Sequence, residues 1–346
     1  MVDSPLGALC FLDTTDKEVT ITEKNTAPTI TKQVQEGETW GESNTAQIGD
    51  TVNFKVTIKA YKGAENYVLH DTMDDGLTLN SESIVVKATP KDGTETTLTA
   101  NTDYEVATNS LVSESGEDPK CTFEIKFKDT YLNGIDKETD IVVTYSAVLN
   151  KDAKISKDIN SNAAKLTYAD NSRTEESSTS TTTFKFDIVK TDSSNKLLDG
   201  AEFELYLKNG NTYTKVPVVK DGDVYRVKTT ADTGDDAVIT ATNGKATVTG
   251  LDANKEYYLM ETKAPAGYNK ISGYVEVDLN DKNKTTTMTR DTWEEGNGGV
   301  HVINKTGTEL PSTGGIGTTI FYVAGSVLVL AAAVLLITKK RMSEEK

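Results

Sequence analysis

The chain has 346 residues, enough for two ordinary domains and a tail, and a formal net charge of −16. Such an acidic chain lacks the basic face that nucleic-acid binding requires. Two cysteines, Cys10 and Cys121, lie far apart and make no disulfide framework, while two histidines, His70 and His301, leave little material for a hydrolase triad or a zinc site. No metal site, cofactor or turnover of an external substrate is expected. Met1–Asp13 (MVDSPLGALCFLD) has neither a basic leader nor a proper apolar core, so it does not read as an export signal. Residues 1–24 read as a truncated N-terminal remnant with a strand, and the true start is expected upstream.

Residues 25–173 read as a first all-β domain. Apolar residues alternate in Thr51–Ala60, with Val52, Phe54, Val56 and Ile58 on one face, and again in Cys121–Lys128 and Ile141–Leu149. Residues 174–183 (TEESSTSTTT) have the composition of a Ser/Thr-rich linker or an exposed connecting strand. Residues 184–306 form a second domain, with alternation in Phe184–Lys190, Ala201–Leu207, Lys245–Leu251 and Tyr257–Glu261. Asp75-Gly76, Asp92-Gly93, Asn209-Gly210, Asp221-Gly222 and Asn243-Gly244 supply turns. Short antiparallel strands with such turns predict two tandem immunoglobulin-like β-sandwiches. Acidic loops such as Asp232–Asp236 could bind Ca²⁺ but miss the spacing of a calcium-binding loop, and solvated loops are the simpler expectation.

Alternation also places six polar residues on the apolar face. Lys32 shares parity with Ile30 and Val34, Asp71 with Tyr67 and Leu69, and Asn162 with Ala164, Leu166 and Tyr168. The second domain repeats the order. Lys190 follows Phe184, Phe186 and Ile188; Glu261 follows Tyr257 and Leu259; Asn304 follows Val300 and Val302. Burying an ammonium and a carboxylate is costly unless they are paired. The alternative is that each sits at a strand end, where water reaches. The chemical solution is different: a buried lysine tends to be a neutral amine and a buried acid tends to be protonated. The amine can attack the Asn side-chain carbonyl while the acid relays protons and ammonia leaves. The product is a neutral isopeptide bond. Asn160 shares the parity of Asn162 and competes as acceptor.

Tyr257–Tyr268 (YYLMETKAPAGY), with Lys190 in VKTD, Gly200–Leu205 (GAEFEL) and Val302–Lys305 (VINK), resembles the B-type repeat of collagen-binding adhesins and Gram-positive pilins. That resemblance implies a Lys190–Asn304 bond with Glu261 as catalyst. Val68–Leu77 (VLHDTMDDGL) resembles the acid-bearing strand of the middle domain of backbone pilins, with Asp71 replacing Glu and with Lys32 and Asn162 as implied partners. Backbone pilins also present a lysine just before that domain to the next subunit. Lys24 stands at that place, although Glu23 replaces the expected Pro and most of the family's N-terminal domain is absent.

The C-terminal end reads as a spacer and motif over 307–315, an uncharged apolar stretch over 316–338 and a basic tail over 339–346. The stretch is long enough for a transmembrane helix, and the basic residues would hold its end in the cytoplasm. Leu310-Pro311-Ser312-Thr313-Gly314 resembles the sorting signal of Gram-positive surface proteins, in which a sortase cleaves after the Thr. The resemblances together imply a peptidoglycan-anchored pilus shaft subunit, held in the membrane only before sorting. Its partners would be pilin-specific and housekeeping sortases, further copies of itself, peptidoglycan and host surface proteins. The alternative is a monomeric wall-anchored adhesin that binds a host or matrix ligand.

Overall fold

The computed structural model describes residues 26–108, 121–156, 158–169, 172–277, 279 and 298–307. Lys24, the Leu310–Gly314 motif and the expected membrane helix lie outside the described residues. Among the described residues the only helix is the short turn Asp129–Leu132, and no helix is long and apolar enough to cross a membrane.

The N-terminal sandwich packs a six-stranded sheet on a larger one. The first runs Thr39–Gly41, Thr29–Glu36, Thr51–Ala60, Thr139–Leu149, Leu77–Pro90, Thr96–Thr97. The second runs Ser43–Thr45, Ser177–Thr182, Asn160–Tyr168, Val68–Met73, Phe123–Phe127, Tyr104–Thr108. Period-2 patterning decides which side chains face inward. In Thr51–Ala60 every second residue from Val52 to Ala60 is buried, and Thr139–Leu149 pairs with it antiparallel so that Val143 opposes Val56 and Tyr145 opposes Phe54. The C-terminal sandwich packs two five-stranded sheets. One runs Val218–Asp221, Val224–Val227, Lys245–Leu251, Phe184–Asp192, Gly298–Asn304; the other contains Thr212–Val216, Glu202–Asn209, Glu256–Lys263 and Tyr274–Val277, with Ile239–Thr240 beside Glu202–Asn209. Both Asn243 and Gly244 have positive φ, as the expected tight hairpin turn demands.

Of the two readings of residues 174–183, a linker or an exposed connecting strand, the structure has a strand, and one that is partly buried. Ser177–Thr182 is a strand inside the first sandwich, antiparallel to Asn160–Tyr168 and parallel to Ser43–Thr45. Thr179 and Thr181 point inward, opposite Asn162 and Asn160, and are buried. Thr is a good strand former, so alternating Ser and Thr in a half-buried position makes a strand despite its low complexity.

The two sandwiches touch through a polar and apolar seam. The Ile48 N–H donates to the Gly250 carbonyl at 3.0 Å. Tyr257 Oη donates to Gln47 Oε1 at 2.8 Å, and Lys255 Nζ donates to Asp50 Oδ2 at 2.6 Å. The acidic loop at Asp232–Asp236 is tied down by ion pairs. Arg226 Nη2 donates to Asp232 Oδ1 at 2.7 Å, and Lys228 Nζ to Asp236 Oδ1 at 2.9 Å. The hydrogen bonds from Arg226 hold the Asp232 carboxyl well below the usual carboxylate range.

Candidate functional site: two buried lysine–acid–asparagine clusters

All six inward polar residues are buried, none more than 1% exposed. In the first sandwich Lys32 comes from one sheet, and Asp71 and Asn162 come from adjacent strands of the other. Asp71 opposes Ala164, which puts Asn162 two residues along the partner strand on the same inward face. Lys32 Nζ is in hydrogen-bond contact with Asp71 Oδ2 and donates to Tyr145 Oη at 2.5 Å. Tyr145 Oη donates to Asp71 Oδ2 at 2.5 Å and accepts from Asn162 Nδ2 at 3.2 Å. Tyr145 thus touches all three members. Its ring stacks on Phe54 at 5.5 Å and meets Phe123 edge-on at 4.9 Å, so the walls of the cluster are aromatic.

Burial pushes the Lys32 amine down, against the opposing pull of Asp71. Burial likewise pushes the Asp71 carboxyl up and the Tyr145 hydroxyl well up. Both shifts of the pair favour the neutral forms, an amine beside a carboxylic acid. Asp71 Oδ1 and Asn162 Oδ1 are both buried without a hydrogen-bond partner. Two such buried acceptors are costly as they stand, and a proton on the acid would relieve that cost at Asp71.

Asn160 does not share this environment. Its Oδ1 accepts from the Lys154 N–H at 2.9 Å, and its Nδ2 donates to the Lys154 and Thr181 carbonyls at 3.1 and 3.2 Å. Gly76 makes room for it, since a Cβ there would lie 2.3 Å from Asn160 Oδ1. Asn160 is therefore a strand clamp rather than a partner of Lys32.

In the second sandwich Lys190 and Asn304 belong to one sheet and Glu261 to the other. Lys190 Nζ donates to the Thr191 and Val302 carbonyls, both at 3.1 Å. Asn304 Nδ2 donates to Glu261 Oε2 at 2.9 Å and to the Asn269 carbonyl at 2.6 Å. The Asn269 contact fixes the amide orientation, because a flipped amide would set two oxygens against each other. The Ile271 N–H donates to Glu261 Oε2 at 2.7 Å. Burial pushes the Lys190 pKa down to about 8, against the raising pull of Glu261 and Asp192. Glu261 Oε1 and Asn304 Oδ1 again lack partners. The same pair of orphan oxygens therefore recurs in both sandwiches.

Tyr145 was not legible as a member of the site. It reads as one more inward residue of an apolar face, and only the choice of Tyr over Phe hints that a hydroxyl is needed there.

Fold and clusters define an all-β protein built from tandem sandwiches, each with a lysine, an acid and an asparagine buried together. Residues 48–172 match the Gram-positive pilin backbone subunit 2, Cna-B-like domain. Residues 184–293 match a prealbumin-like fold domain, and residues 303–344 match the LPXTG cell wall anchor motif. The Cna-B-like description thus falls on the first sandwich, while the second, expected to be the B-type repeat, matches the prealbumin-like model. The trypsin-resistant surface T6 protein of Streptococcus pyogenes serotype M6 is 24% identical over 391 aligned residues, covering 92% of this chain and 70% of that protein. The crystal structure of the group B streptococcus pilus 2b backbone protein superposes with a TM-score of 0.61 at 27% identity, over 81% of this chain and 99% of that one. The pilus backbone RrgB of Streptococcus pneumoniae has the same fold, with a TM-score of 0.57 at 14% identity over 81% of this chain and 100% of that one. The chain thus holds a domain matching the Gram-positive pilin backbone model and an LPXTG cell wall anchor motif, and over most of its length it is similar to streptococcal pilus backbone proteins.

Proposed function

We propose that the protein is the shaft subunit of a covalently polymerised pilus and that its sandwiches lock themselves with Lys32–Asn162 and Lys190–Asn304 isopeptide bonds. The observation that carries the crosslinking is the paired orphan oxygens, one on the acid and one on the asparagine, beside a buried lysine in both sandwiches. The neutral amine attacks the Asn side-chain carbon. A proton relayed through Asp71 or Glu261 neutralises the developing oxyanion. The amine nitrogen then loses a proton, the amide nitrogen gains one, and ammonia departs. One C–N bond forms and one breaks. The acid ends as it began, and the buried charge is gone.

Polymerisation uses the other end of the chain. The sortase cleaves between Thr313 and Gly314 and passes the Thr313 carbonyl to a lysine amine of the next subunit, while the membrane segment stays behind. Lys24 is the acceptor by its place before the first sandwich, and Glu23 is positioned in sequence to take its proton. The last acyl transfer goes to peptidoglycan. Wall extracts from cells carrying the gene and its sortase should give a ladder in denaturing gels. A single band, with the full N-terminus present, would favour a monomeric adhesin.

A further inference from the structure

His70, Cys121 and Glu124 converge on the outer face of the first sandwich, away from the Lys32 cluster. His70 alternates with the inward Leu69 and Asp71, so it points outward, and Glu124 stands opposite it on the neighbouring strand. Cys121 lies just before that strand. His70 Nδ1 is 2.9 Å from Glu124 Oε1 and 3.6 Å from Cys121 Sγ, and the three ligand atoms all lie within 4.8 Å of one another. His70 and Cys121 are buried, and the Glu124 side chain is 19% exposed, which leaves a way in.

The geometry points to a zinc-class metal site at His70, Cys121 and Glu124, with a fourth position open to water. Three observations support it. First, Thr167 Oγ1 stands 3.0 Å from His70 Nε2 and can accept a hydrogen bond there, while Nδ1 is turned to the carboxylate and the sulfur. That is the arrangement of a metal-ligating histidine whose other nitrogen is held by an outer partner. Second, bond lengths of about 2.3 Å to sulfur and 2.0–2.1 Å to nitrogen in a tetrahedral site imply an S···N edge of about 3.6 Å, which is the spacing found here. The N···O edge would be about 3.3 Å, and rotation of the partly exposed Glu124 supplies the few tenths beyond 2.9 Å. Third, one nitrogen, one thiol and one carboxylate form a borderline-soft donor set that suits zinc or cobalt and not calcium or magnesium. The rival occupant is a second ring proton, which would make a His70–Glu124 ion pair and leave the thiol outside it.

Purified full-length protein, stripped with chelator and kept reduced, is titrated with Zn²⁺ by calorimetry and with Co²⁺ by absorption. One equivalent should bind, with a near-ultraviolet thiolate-to-cobalt band. Cys121→Ser should abolish that band, and Glu124→Gln should weaken zinc at least about tenfold. Thr167→Val should weaken it about 10- to 100-fold as an outer-partner loss. Cys121→Ser and Glu124→Gln are close to isosteric, and unchanged circular dichroism shows that they fold. No stoichiometric binding, or a cobalt spectrum that survives Cys121→Ser, would overturn the assignment in favour of the ion pair.

Discussion

Lys190 and Asn304 lie on neighbouring parallel strands, offset by two residues in register: Lys190 stands opposite Val302, and Asp192 opposite Asn304. Lys32 and Asn162 instead belong to opposite sheets. A bond in the second sandwich would tie its first and last strands edge to edge, and a bond in the first would bolt sheet to sheet. In both cases tension along the chain would pass through the crosslink and spare most of the fold.

Glu261→Gln should remove the second bond and leave the first. The change is nearly isosteric but replaces the carboxyl group that accepts from Asn304 Nδ2 with an amide, which cannot relay a proton. Loss of a crosslink spanning about 100 residues costs on the order of 4–5 kcal/mol if the loop-entropy description of disulfides carries over. Intact mass should rise by one ammonia, and thermal unfolding of the C-terminal sandwich should shift down. An unchanged mass would assign the catalysis to another group.

Tyr145→Phe should slow the first bond without unfolding its sandwich. The hydroxyl bridges Lys32, Asp71 and Asn162, while the ring supplies packing that Phe retains. Removing a proton-relaying group costs about 10²-fold in rate. Mass spectrometry at timed intervals after refolding measures this, and wild-type kinetics would reduce Tyr145 to a packing residue.

Much of this was readable from alternation alone. The Thr51–Ala60 and Lys245–Leu251 strands have the ends the pattern implies, and inward parity marked Lys32, Asp71, Asn162, Lys190, Glu261 and Asn304, all of which are buried. What parity cannot give is which sheet a strand joins, so the face-to-face and edge-to-edge arrangements of the two clusters were invisible. Asn160 and Asn162 are equivalent by parity, and only hydrogen bonding separates them. Cys121 and Glu124 have opposite parity, and they meet because Cys121 lies outside the regular strand Phe123–Phe127.

The Asn304→Ala variant keeps Lys190 and Glu261 but offers no carbonyl, so the amine stays free. Its folded pKa of about 8 lies below the ordinary 10.5. Between those values the unfolded chain binds the extra proton, so stability must rise with pH across that window. Below it both states are protonated, and the fold bears the full cost of a buried ammonium. Denaturant midpoints of this variant should climb from about pH 8 upward relative to the same variant carrying Lys190→Met. A flat difference would mean that water reaches the amine.

Gly250→Ala should loosen the seam between the sandwiches. A Cβ at Gly250 would stand 2.8 Å from Ile48 Cδ1, on a backbone with φ +88°. The left-handed backbone alone costs about 1–2 kcal/mol for a side-chain-bearing residue. Limited proteolysis between the sandwiches should quicken while both mass deficits remain. Unchanged cleavage would show that the polar contacts of Gln47 and Asp50 carry the seam by themselves.

The intact mass of the purified wild-type protein tests the central claim most directly. Two isopeptide bonds predict a mass short of the sequence mass by two ammonia molecules, with digestion yielding branched peptides that join Lys32 to Asn162 and Lys190 to Asn304. A mass equal to that of the sequence would contradict the self-crosslinking of both sandwiches.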